Sequence, residues 1–426
     1  PGRPRRPTVS AASPVIPPSS RGFDSRDACG KLALVRVLHL GLVLILAGCP
    51  STPPSAETAP RSDAPPAAAD PQPTAEAAAP SLPPSTKTFA VSLEPGEPEV
   101  VLGTWEDTLW AHRPRSDGSF DELWVSKGPG AVQEVVAGEL GGERSLFVGR
   151  GRARGNLIPF VRVDRVDPAT GTVSPLLREE SDRADVAQLV LADLDGSGPT
   201  LVVGYFESKH SVGVRNLRSD GTVQRAPSQL MATSRVFADL DGDGTPDEVI
   251  GRVYSDDQGS PGDLSVRIGE RSFQIPTDRG VRSVAVVQLE GDERPTIYFA
   301  DGWSSNYGAE GRAKLARARF DGEGFQVERL AESPGEYTLF SILVTQVGGA
   351  ERLFVQGSRY LSVLAPDPQG GLTLRRLLAF DNGAGQGALG RGHDGSVWWY
   401  WPGEGRTTAT RVELDVLKPL PVARGG

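Results

Sequence analysis

A short unit recurs along most of this chain, and this repetition constrains the fold more than any other feature of the sequence. Each copy holds an apolar strand, an acidic or glycine-rich turn, and a second apolar strand that usually ends in glycine. Self-similarity of this kind is typical of repeat architectures, in which neighbouring units bury a continuous core. The clearest copies are residues 189–204 and 236–251, the weaker copies are 135–149, 286–300 and 343–357, and the faintest are 91–103 and 379–390.

The spacing of these units predicts the size of each repeat. The turns begin at positions 92, 139, 193, 239, 288, 346 and 381, so the first five intervals are 46 to 58 residues long and the last is 35. No long segment keeps a helical apolar period, and such an interval has room for the four short strands of one propeller blade. The sequence therefore predicts an all-β chain that forms a seven-bladed β-propeller, with a β-sandwich as the alternative. The strand 88–92 is expected to complete the last blade and close the ring.

The fourth turn carries the clearest chemical signal. Asp239, Asp241, Asp243 and Asp247 place carboxylates at positions 1, 3, 5 and 9 of the turn, and the carbonyl group of Thr245 stands at position 7. Ca²⁺ takes about six to eight hard oxygen ligands of these kinds. We therefore predict a structural calcium ion here, with a Kd of about 10⁻⁴–10⁻³ M as in extracellular modules. A solvated acidic turn without metal is the alternative.

The other turns depart from this pattern. An EF-hand is excluded even for the fourth turn, because no helices flank it and Ile250 stands at position 12, where an EF-hand has glutamate. The third turn has Asp193, Asp195 and Ser197 but Leu201 at position 9, so metal binding is left open there. We predict no metal in the remaining turns, whose remnants of the pattern are Glu139, Gly141, Glu143, Glu290 and Asp292.

These units resemble the FG-GAP or VCBS-type repeats of extracellular β-propellers. The resemblance is specific at residues 189–204 and 236–251, is loose in the other copies, and covers most of residues 88–426. It implies a propeller fold in which an intact acidic turn binds calcium.

The N-terminal part carries the pattern of an export signal. Lys31 and Arg36 belong to a basic region before an apolar run over residues 37–47, which is shorter than the roughly 20 residues that span a bilayer. The run ends in Leu-Ala-Gly-Cys at residues 46–49, which resembles a bacterial lipobox. The resemblance implies cleavage before Cys49 and attachment of fatty acyl chains such as palmitate, which together hold a protein firmly to a membrane. A chance cysteine after an ordinary signal peptide, or a buried core strand, is the alternative.

Four segments follow from this pattern, the last being the propeller over residues 88–426. Residues 1–34 are expected to lie upstream of a translation start near Val35, with an extended basic region of the signal as the alternative, and residues 35–48 are the expected signal peptide. Residues 49–87 join the lipidated cysteine to a linker rich in Pro, Ala, Ser and Thr, which lacks the apolar side chains needed to fold and is predicted to be a disordered tether. Pro50 after the cysteine favours the outer over the inner membrane of a bacterial envelope, by resemblance to a Gram-negative sorting rule.

Charge and motif content argue against several functions. The formal net charge is −9, and residues 1–48 contribute +5 from seven basic and two acidic side chains, so the remainder carries −14. A surface of this sign lacks the cationic footprint that binds nucleic acid, and we predict no nucleic-acid partner. His112, His210 and His393 stand at no spacing typical of a metal site or a catalytic group, and no catalytic motif occurs. The sequence therefore does not predict an enzyme.

The strand 397–401 is unusually aromatic. On a strand, Trp398 and Tyr400 face one side and Trp399 and Trp401 face the other. We favour packing between blades on both faces, with a sugar-stacking or partner surface as the alternative. Two further rings stand in a glycine- and serine-rich stretch and are candidates for an exposed loop: Trp303 and Tyr307.

Together these features predict a lipid-anchored protein of the bacterial cell envelope whose calcium-stabilised propeller is a binding or interaction scaffold. The expected partners are the membrane, through the lipid anchor, and a protein or a glycan. A carbohydrate-active envelope enzyme or lectin is the alternative, which acids and aromatic rings converging at one mouth of the ring would favour. An accessory lipoprotein of an outer-membrane assembly machine is a third hypothesis.

Overall fold

The computed structural model divides the chain into two compact units. Every residue that it describes lies in the second unit, Pro73–Gly426. The predicted signal peptide and most of the predicted linker lie outside them, as do Cys49, Trp303 and Tyr307. Among the residues described, no helix is long and apolar enough to cross a membrane. The described ranges are 82–93, 99–152, 158–253, 262–278, 280–289, 292–301, 313–332, 339–366, 371–379, 386–403, 405–412 and 414.

These residues form seven antiparallel sheets, in each of which the strands lie side by side in chain order. The strands of the first sheet are β1 (Lys87–Val91), β2 (Val100–Trp105), β3 (Thr108–Pro114) and β4 (Phe120–Lys127). Those of the second are β5 (Ala131–Leu140), β6 (Glu143–Gly151), β7 (Phe160–Val166) and β8 (Val173–Glu180). Those of the third are β9 (Val186–Ala192), β10 (Thr200–Phe206), β11 (Ser211–Arg218) and β12 (Val223–Leu230).

The remaining four sheets continue this order. The fourth has β13 (Ala232–Ala238), β14 (Asp247–Arg252), β15 (Asp263–Ile268) and β16 (Arg271–Pro276), and the fifth has β17 (Val281–Val287), β18 (Thr296–Asp301), β19 (Lys314–Phe320) and β20 (Phe325–Glu332). The sixth has β21 (Leu339–Val347), β22 (Ala350–Gly357), β23 (Tyr360–Pro366) and β24 (Leu372–Ala379). The seventh has three strands, β25 (Ala388–Arg391), β26 (Val397–Gly403) and β27 (Arg406–Arg411).

The sheets are the blades of a ring. The first strand of each blade contacts the first strand of the next, and β1 contacts β25, which closes the circle. The protein is therefore a seven-bladed β-propeller, as the repeat spacing predicts. We call the end where each first strand begins the upper end, and the end where it turns into the second strand the lower end. Because the strands are antiparallel, the first six predicted turns, which join the first and second strands of their blades, lie at the lower end. The seventh prediction was wrong, because position 381 falls between β24 and β25, and the corresponding turn of the last blade follows β25.

The hydrophobic core lies between neighbouring blades. Phe147 and Val161 of the second blade pack with Val186 and Leu201 of the third, and similar clusters join the other blades. The second strand of each blade is covered on both faces, so its residues are almost continuously buried, as in β6, β10 and β18. Buried faces on both sides explain why these strands read as apolar runs rather than as alternating patterns.

The ring closes in a different way from the one expected. The strand expected to complete the last blade, residues 88–92, lies largely in β1, which pairs along its length with β2 of the first blade. Its apolar side chains explain this, because Val91 packs in the core between the first and second blades. The last blade is extended further upstream, where Leu82 bridges Thr407 of β27. Contacts of the propeller therefore begin upstream of the boundary expected at residue 88.

The aromatic strand β26 packs on both faces. Trp399 is fully buried among residues of the sixth and seventh blades, with Trp401 against the same cluster. Tyr400 is fully buried on the other face beside Trp110 of the first blade, with Trp398 partly buried there. The packing interpretation of this strand is confirmed, and its rings form no exposed aromatic patch.

Candidate metal centre

The fourth-blade turn joins β13 to β14 at the lower end. Leu240 is 1% exposed in the core between the fourth and fifth blades and anchors the turn. Gly242 and Gly244 have φ angles of 83° and 86°, a backbone region that residues with a Cβ atom rarely adopt. The apolar anchor and the two glycines fold the turn tightly around its acidic side chains.

Asp239 organises the backbone of this turn. Its Oδ1 atom accepts hydrogen bonds from the N–H groups of Gly242 at 2.7 Å and Asp243 at 3.1 Å, and its Oδ2 atom accepts one from Gly244 at 2.9 Å. A carboxylate that binds successive backbone N–H groups stabilises a tight turn. The first position of the motif thus has a structural role in addition to its predicted role as a ligand.

Three of the predicted ligands come together. Carboxylate oxygens of Asp239, Asp241 and Asp247 all lie within 4.8 Å of one another. Calcium–oxygen bonds are about 2.3–2.6 Å long, so two oxygens on one ion lie at most about 5 Å apart, and this group fits a single Ca²⁺. The Asp243 carboxylate lies outside the group and accepts the Thr245 N–H at 2.7 Å instead.

The electrostatics of the group favour a cation. Asp247 is 4% exposed, and its Oδ2 atom accepts the N–H of Leu240 at 2.8 Å. Burial raises the pKa of Asp247, and the neighbouring carboxylates Asp241, Asp243 and Asp239 raise it further, against the opposing effect of the Leu240 hydrogen bond. A divalent cation among these carboxylates would remove the repulsion that raises this pKa.

In the third blade, an arginine lies against the acidic turn. Nη2 of Arg218 donates to Oδ2 of Asp195 at 2.5 Å, and Nη1 donates to Oγ of Ser197 at 3.1 Å. The pKa of Asp195 is lowered, first by the hydrogen bond from the Ser197 hydroxyl and then by that from Arg218. Asp193 accepts the Gly198 N–H at 3.2 Å. Two of the three predicted ligands here are therefore engaged by a cation that the protein itself supplies.

Two further turns show the same arrangement. Asp292 of the fifth blade accepts hydrogen bonds from Arg319 at 3.0 Å and from the hydroxyl of Tyr298 at 2.9 Å. Glu143 of the second blade accepts one from Arg165 at 3.0 Å. The sequence analysis missed these arginines. A sequence signal for them exists, since each lies among the last two residues of the third strand of its blade. Glu290, which belongs to the predicted remnants, lies outside the described residues.

The histidines are not brought together. His112 lies on β3 of the first blade, His210 lies between β10 and β11 of the third, and His393 lies between β25 and β26 of the seventh. They therefore cannot form one metal site or one catalytic group within a single chain.

Comparisons with known proteins found similarity of structure but not of sequence. No protein-family model matches the sequence, and no curated protein sequence matches it. Among solved structures, the chain is similar to the crystal structure of Saccharomyces cerevisiae Sqt1, with a TM-score of 0.47 and 11% sequence identity, over 76% of this chain and 83% of that one. The FG-GAP or VCBS-type assignment of the repeats stays a prediction.

Proposed function

We propose that this protein is a lipid-anchored scaffold of the bacterial cell envelope, whose β-propeller is stabilised by calcium and presents a binding surface. The observation that carries the calcium part is the carboxylate group of Asp239, Asp241 and Asp247 within 4.8 Å. The ion would be held by these three residues, and its chemistry would be structural neutralisation of the group. Binding to the folded state alone stabilises a protein by mass action.

Calorimetric unfolding of the full chain in EDTA and in about 5 mM Ca²⁺ tests this proposal. With a Kd of about 10⁻⁴–10⁻³ M, mass action predicts a stabilisation of about 1–2.3 kcal/mol, seen as a rise of a few degrees in Tm. We expect Asp241→Ala and Asp247→Asn to lose this rise. Asp247→Asn should also melt no lower than the native chain in EDTA, because it removes a charge that repels its neighbours.

The matched control is Asp321→Ala. Asp321 accepts backbone N–H groups in an exposed turn between β19 and β20, at the same end of the propeller, and is not part of the carboxylate group. This variant should keep the full calcium-dependent rise whatever its own stability. An equal rise in the native chain, Asp241→Ala and Asp247→Asn would show that calcium acts elsewhere.

The anchor rests on the lipobox at residues 46–49. We expect mass spectrometry of the membrane fraction to find a chain that begins at an acylated Cys49, and density-gradient fractionation to place it with outer membranes. Cys49→Ser should leave the chain unacylated and uncleaved. Release of the native chain by a salt wash that leaves lipid anchors in place would contradict the proposal.

A cavity of ≈ 380 Å³ at the upper end of the ring, lined by residues that include Glu134, Val186 and Phe340, favours a scaffold over a glycoside hydrolase. Such enzymes use a pair of carboxyl groups beside the scissile bond. Among the described residues that line this cavity, Glu134 is the sole carboxylate, and its Oε1 atom lies 2.5 Å from Nζ of Lys87. A carboxylate paired with lysine at this distance is a poor general acid, which favours a binding role for this end of the ring.

A further inference from the structure

The seventh blade has an open position at its outer edge. Among the described residues, each of the other six blades has four strands, whereas the seventh has three and ends at β27. Within the same residues, Leu82 alone bridges the outer edge of β27, at Thr407 near the upper end. An edge of this kind presents backbone donors and acceptors that can pair with a further strand.

The hydrogen bonds of β27 show which of its backbone groups face this open position. The N–H of Thr407 points outward, to the carbonyl groups of Leu82 and Pro83 at 3.4 and 3.2 Å. Backbone groups alternate in direction along a strand, so those of Ala409 and Arg411 point outward as well. A strand placed here must therefore offer N–H and C=O groups to these two residues.

An apolar side chain of the first blade also faces the open position. Val125 of β4 stands opposite Trp110 of β3, so the two side chains lie on the same face of the sheet. On that face Trp110 packs with Tyr400 and Ala409 of the seventh blade. Val125 lies one strand further out and is 50% exposed. A fourth strand in the seventh blade would cover it, as Val173 of β8 packs in the core between the first and second blades.

The chain that follows β27 has the length for such a strand. In the other six blades, two to six residues separate the third strand from the fourth, and the fourth strand has six to eight residues. β27 ends at Arg411, and Leu414 still packs against the core between the sixth and seventh blades. A fourth strand is therefore expected to begin between positions 415 and 418, and residues 416–422 are long enough to form it.

The prolines of this segment fit an outermost strand. Residues 416–422 read Val-Leu-Lys-Pro-Leu-Pro-Val, with Pro419 and Pro421 two positions apart. Proline has no N–H group and is confined in sheets to positions where that group would face solvent. Because both prolines present the same edge of the strand, the N–H groups of Lys418 and Leu420 are left to face β27.

The same alternation directs apolar side chains towards the first blade. A residue that stands opposite Ala409 shares its face, which packs against the first blade. With both prolines at the solvent edge, the residues on this face are the even-numbered ones. Three of these four are apolar and suited to cover Val125: Val416, Leu420 and Val422.

The residues upstream of Leu82 suit the open position less well. Because the bridge from Leu82 to β27 is antiparallel, Pro80 would stand opposite Ala409, where the strand must supply an N–H group. Residues 77–79 are alanines, whose methyl groups cover less surface than valine or leucine. Hydrogen bonding and side-chain size therefore both favour residues 416–422.

We infer that the outer edge of β27 is a strand-binding site whose occupant is residues 416–422 of the same chain. The segment pairs antiparallel to β27 through Ala409 and Arg411 and covers Val125. It is a short strand, because Leu82 already holds the upper end of the edge. While the segment is bound, the edge is closed to strands of other proteins. This surface is separate from the calcium turn and from the anchor, so its test does not depend on the proposed function.

Cysteine pairs test the position of the segment in the full chain. Val125→Cys is combined in turn with Lys418→Cys, Leu420→Cys, Pro419→Cys or Pro80→Cys, and peptide mapping after mild oxidation identifies each disulfide, so the native cysteines stay in place. Disulfides form where Cβ atoms lie about 3.5–4.5 Å apart. We expect one within a single chain from at least one of the even positions 418 and 420, and only a trace from position 419, which faces away. The pair with position 80 tests the upstream residues as the occupant.

Hydrogen exchange measures the pairing itself. The amides of Ala409 and Arg411 should exchange slowly in the native chain, and Lys418→Pro, which removes an N–H that faces β27, should speed their exchange at least about tenfold. Leu417→Pro is the matched control, because position 417 has the same direction as the two native prolines, and it should keep the native exchange rates. Thermal melting establishes that each variant is folded.

Several results would overturn the inference. Fast exchange of both amides in the native chain would mean that the edge is open, and equal exchange in the two proline variants would mean that the segment does not pair as argued. A disulfide from position 80 in place of 418 and 420 would identify the upstream residues as the occupant. A disulfide that joins two chains would identify a second copy of the protein, and equal yields at odd and even positions, or no disulfide at all, would exclude a strand of fixed direction.

Discussion

At the scale of single residues, the acids of the repeat turns have two kinds of surroundings. The fourth turn gathers three carboxylates in a geometry that suits a divalent ion. The turns of the second, third and fifth blades have arginines against their acids, at Arg165, Arg218 and Arg319. A guanidinium supplied by the chain needs no ion from the medium, but it also blocks the carboxylate that it binds. Replacing the arginine of such a turn therefore tests whether calcium can bind in its place.

Arg218→Gln should open the third turn to calcium. The change frees one oxygen of Asp195 and the hydroxyl of Ser197, while Leu201 at position 9 still limits the affinity. We expect a larger calcium-dependent rise in Tm than in the native chain, and a second, weaker binding event by titration. Arg225→Gln, which removes an exposed ion pair with Glu207 in the same blade, serves as the control. Equal calcium responses in both variants would contradict this exchange.

His112 makes stability depend on pH. Burial lowers its pKa below the ordinary value of 6.5, and this exceeds the opposing effect of Glu122. The folded state then binds fewer protons than the unfolded state, so this contribution is fully present above pH 6.5 and is lost as the pH falls through the folded pKa. We expect the Tm in EDTA to fall less between pH 7.5 and 5.5 in His112→Gln than in the native chain. A variant of the exposed His393 should keep the native profile.

At the scale of strands, glycine in the second strand of a blade lets the next blade approach. A Cβ atom at Gly251 would lie 2.9 Å from Cγ1 of Val281, and one at Gly149 would lie 2.9 Å from Cγ1 of Val186. Both valines belong to the first strand of the following blade. The glycine that recurs in the repeat sequence is thus explained by packing between blades.

Gly251→Ala should destabilise the propeller. The added methyl group meets Val281 and Val284 below the usual contact distance, and overpacking of this kind costs about 1–3 kcal/mol. Gly324→Ala is the control, because a Cβ atom there meets no neighbour within 4 Å. Urea unfolding of both variants measures the difference. Equal urea midpoints for Gly251→Ala and Gly324→Ala would show that the interface between the blades accommodates the methyl group without loss of stability.

At the scale of the whole molecule, the ring is held shut by contacts between its two sequence ends. The Thr407 hydroxyl donates to the Pro83 carbonyl at 2.6 Å and lies 2.7 Å from Oγ of Ser85. The Thr88 hydroxyl donates to the carbonyl of Tyr400 at 2.8 Å. In the proposed lipoprotein, the tether leads directly into this closure, so a pull on the anchor would act first on these bonds.

Thr407→Val should weaken the closure. Thr407 is fully buried, and valine keeps its volume while removing the hydroxyl that serves Pro83 and Ser85. Loss of such a buried hydrogen bond costs about 1–3 kcal/mol, which we expect as a lower Tm and as faster proteolysis near residue 82. Thr410→Val, at a half-buried position of the same strand, should change neither. Native proteolysis rates in Thr407→Val would show that the closure does not limit opening.

The sequence by itself determined the all-β class, the number of blades and the positions of the first six turns. Each of these depends on residues close together in the chain: apolar runs, glycines at positive φ, and aspartates spaced along one turn. Only the tertiary structure decided which side chains meet across the ring. Leu82 bridges Thr407, Arg218 reaches Asp195, and the cavity at the upper end of the ring collects residues from six blades. Such contacts join residues distant in sequence, and no local pattern encodes which partner a strand end will meet.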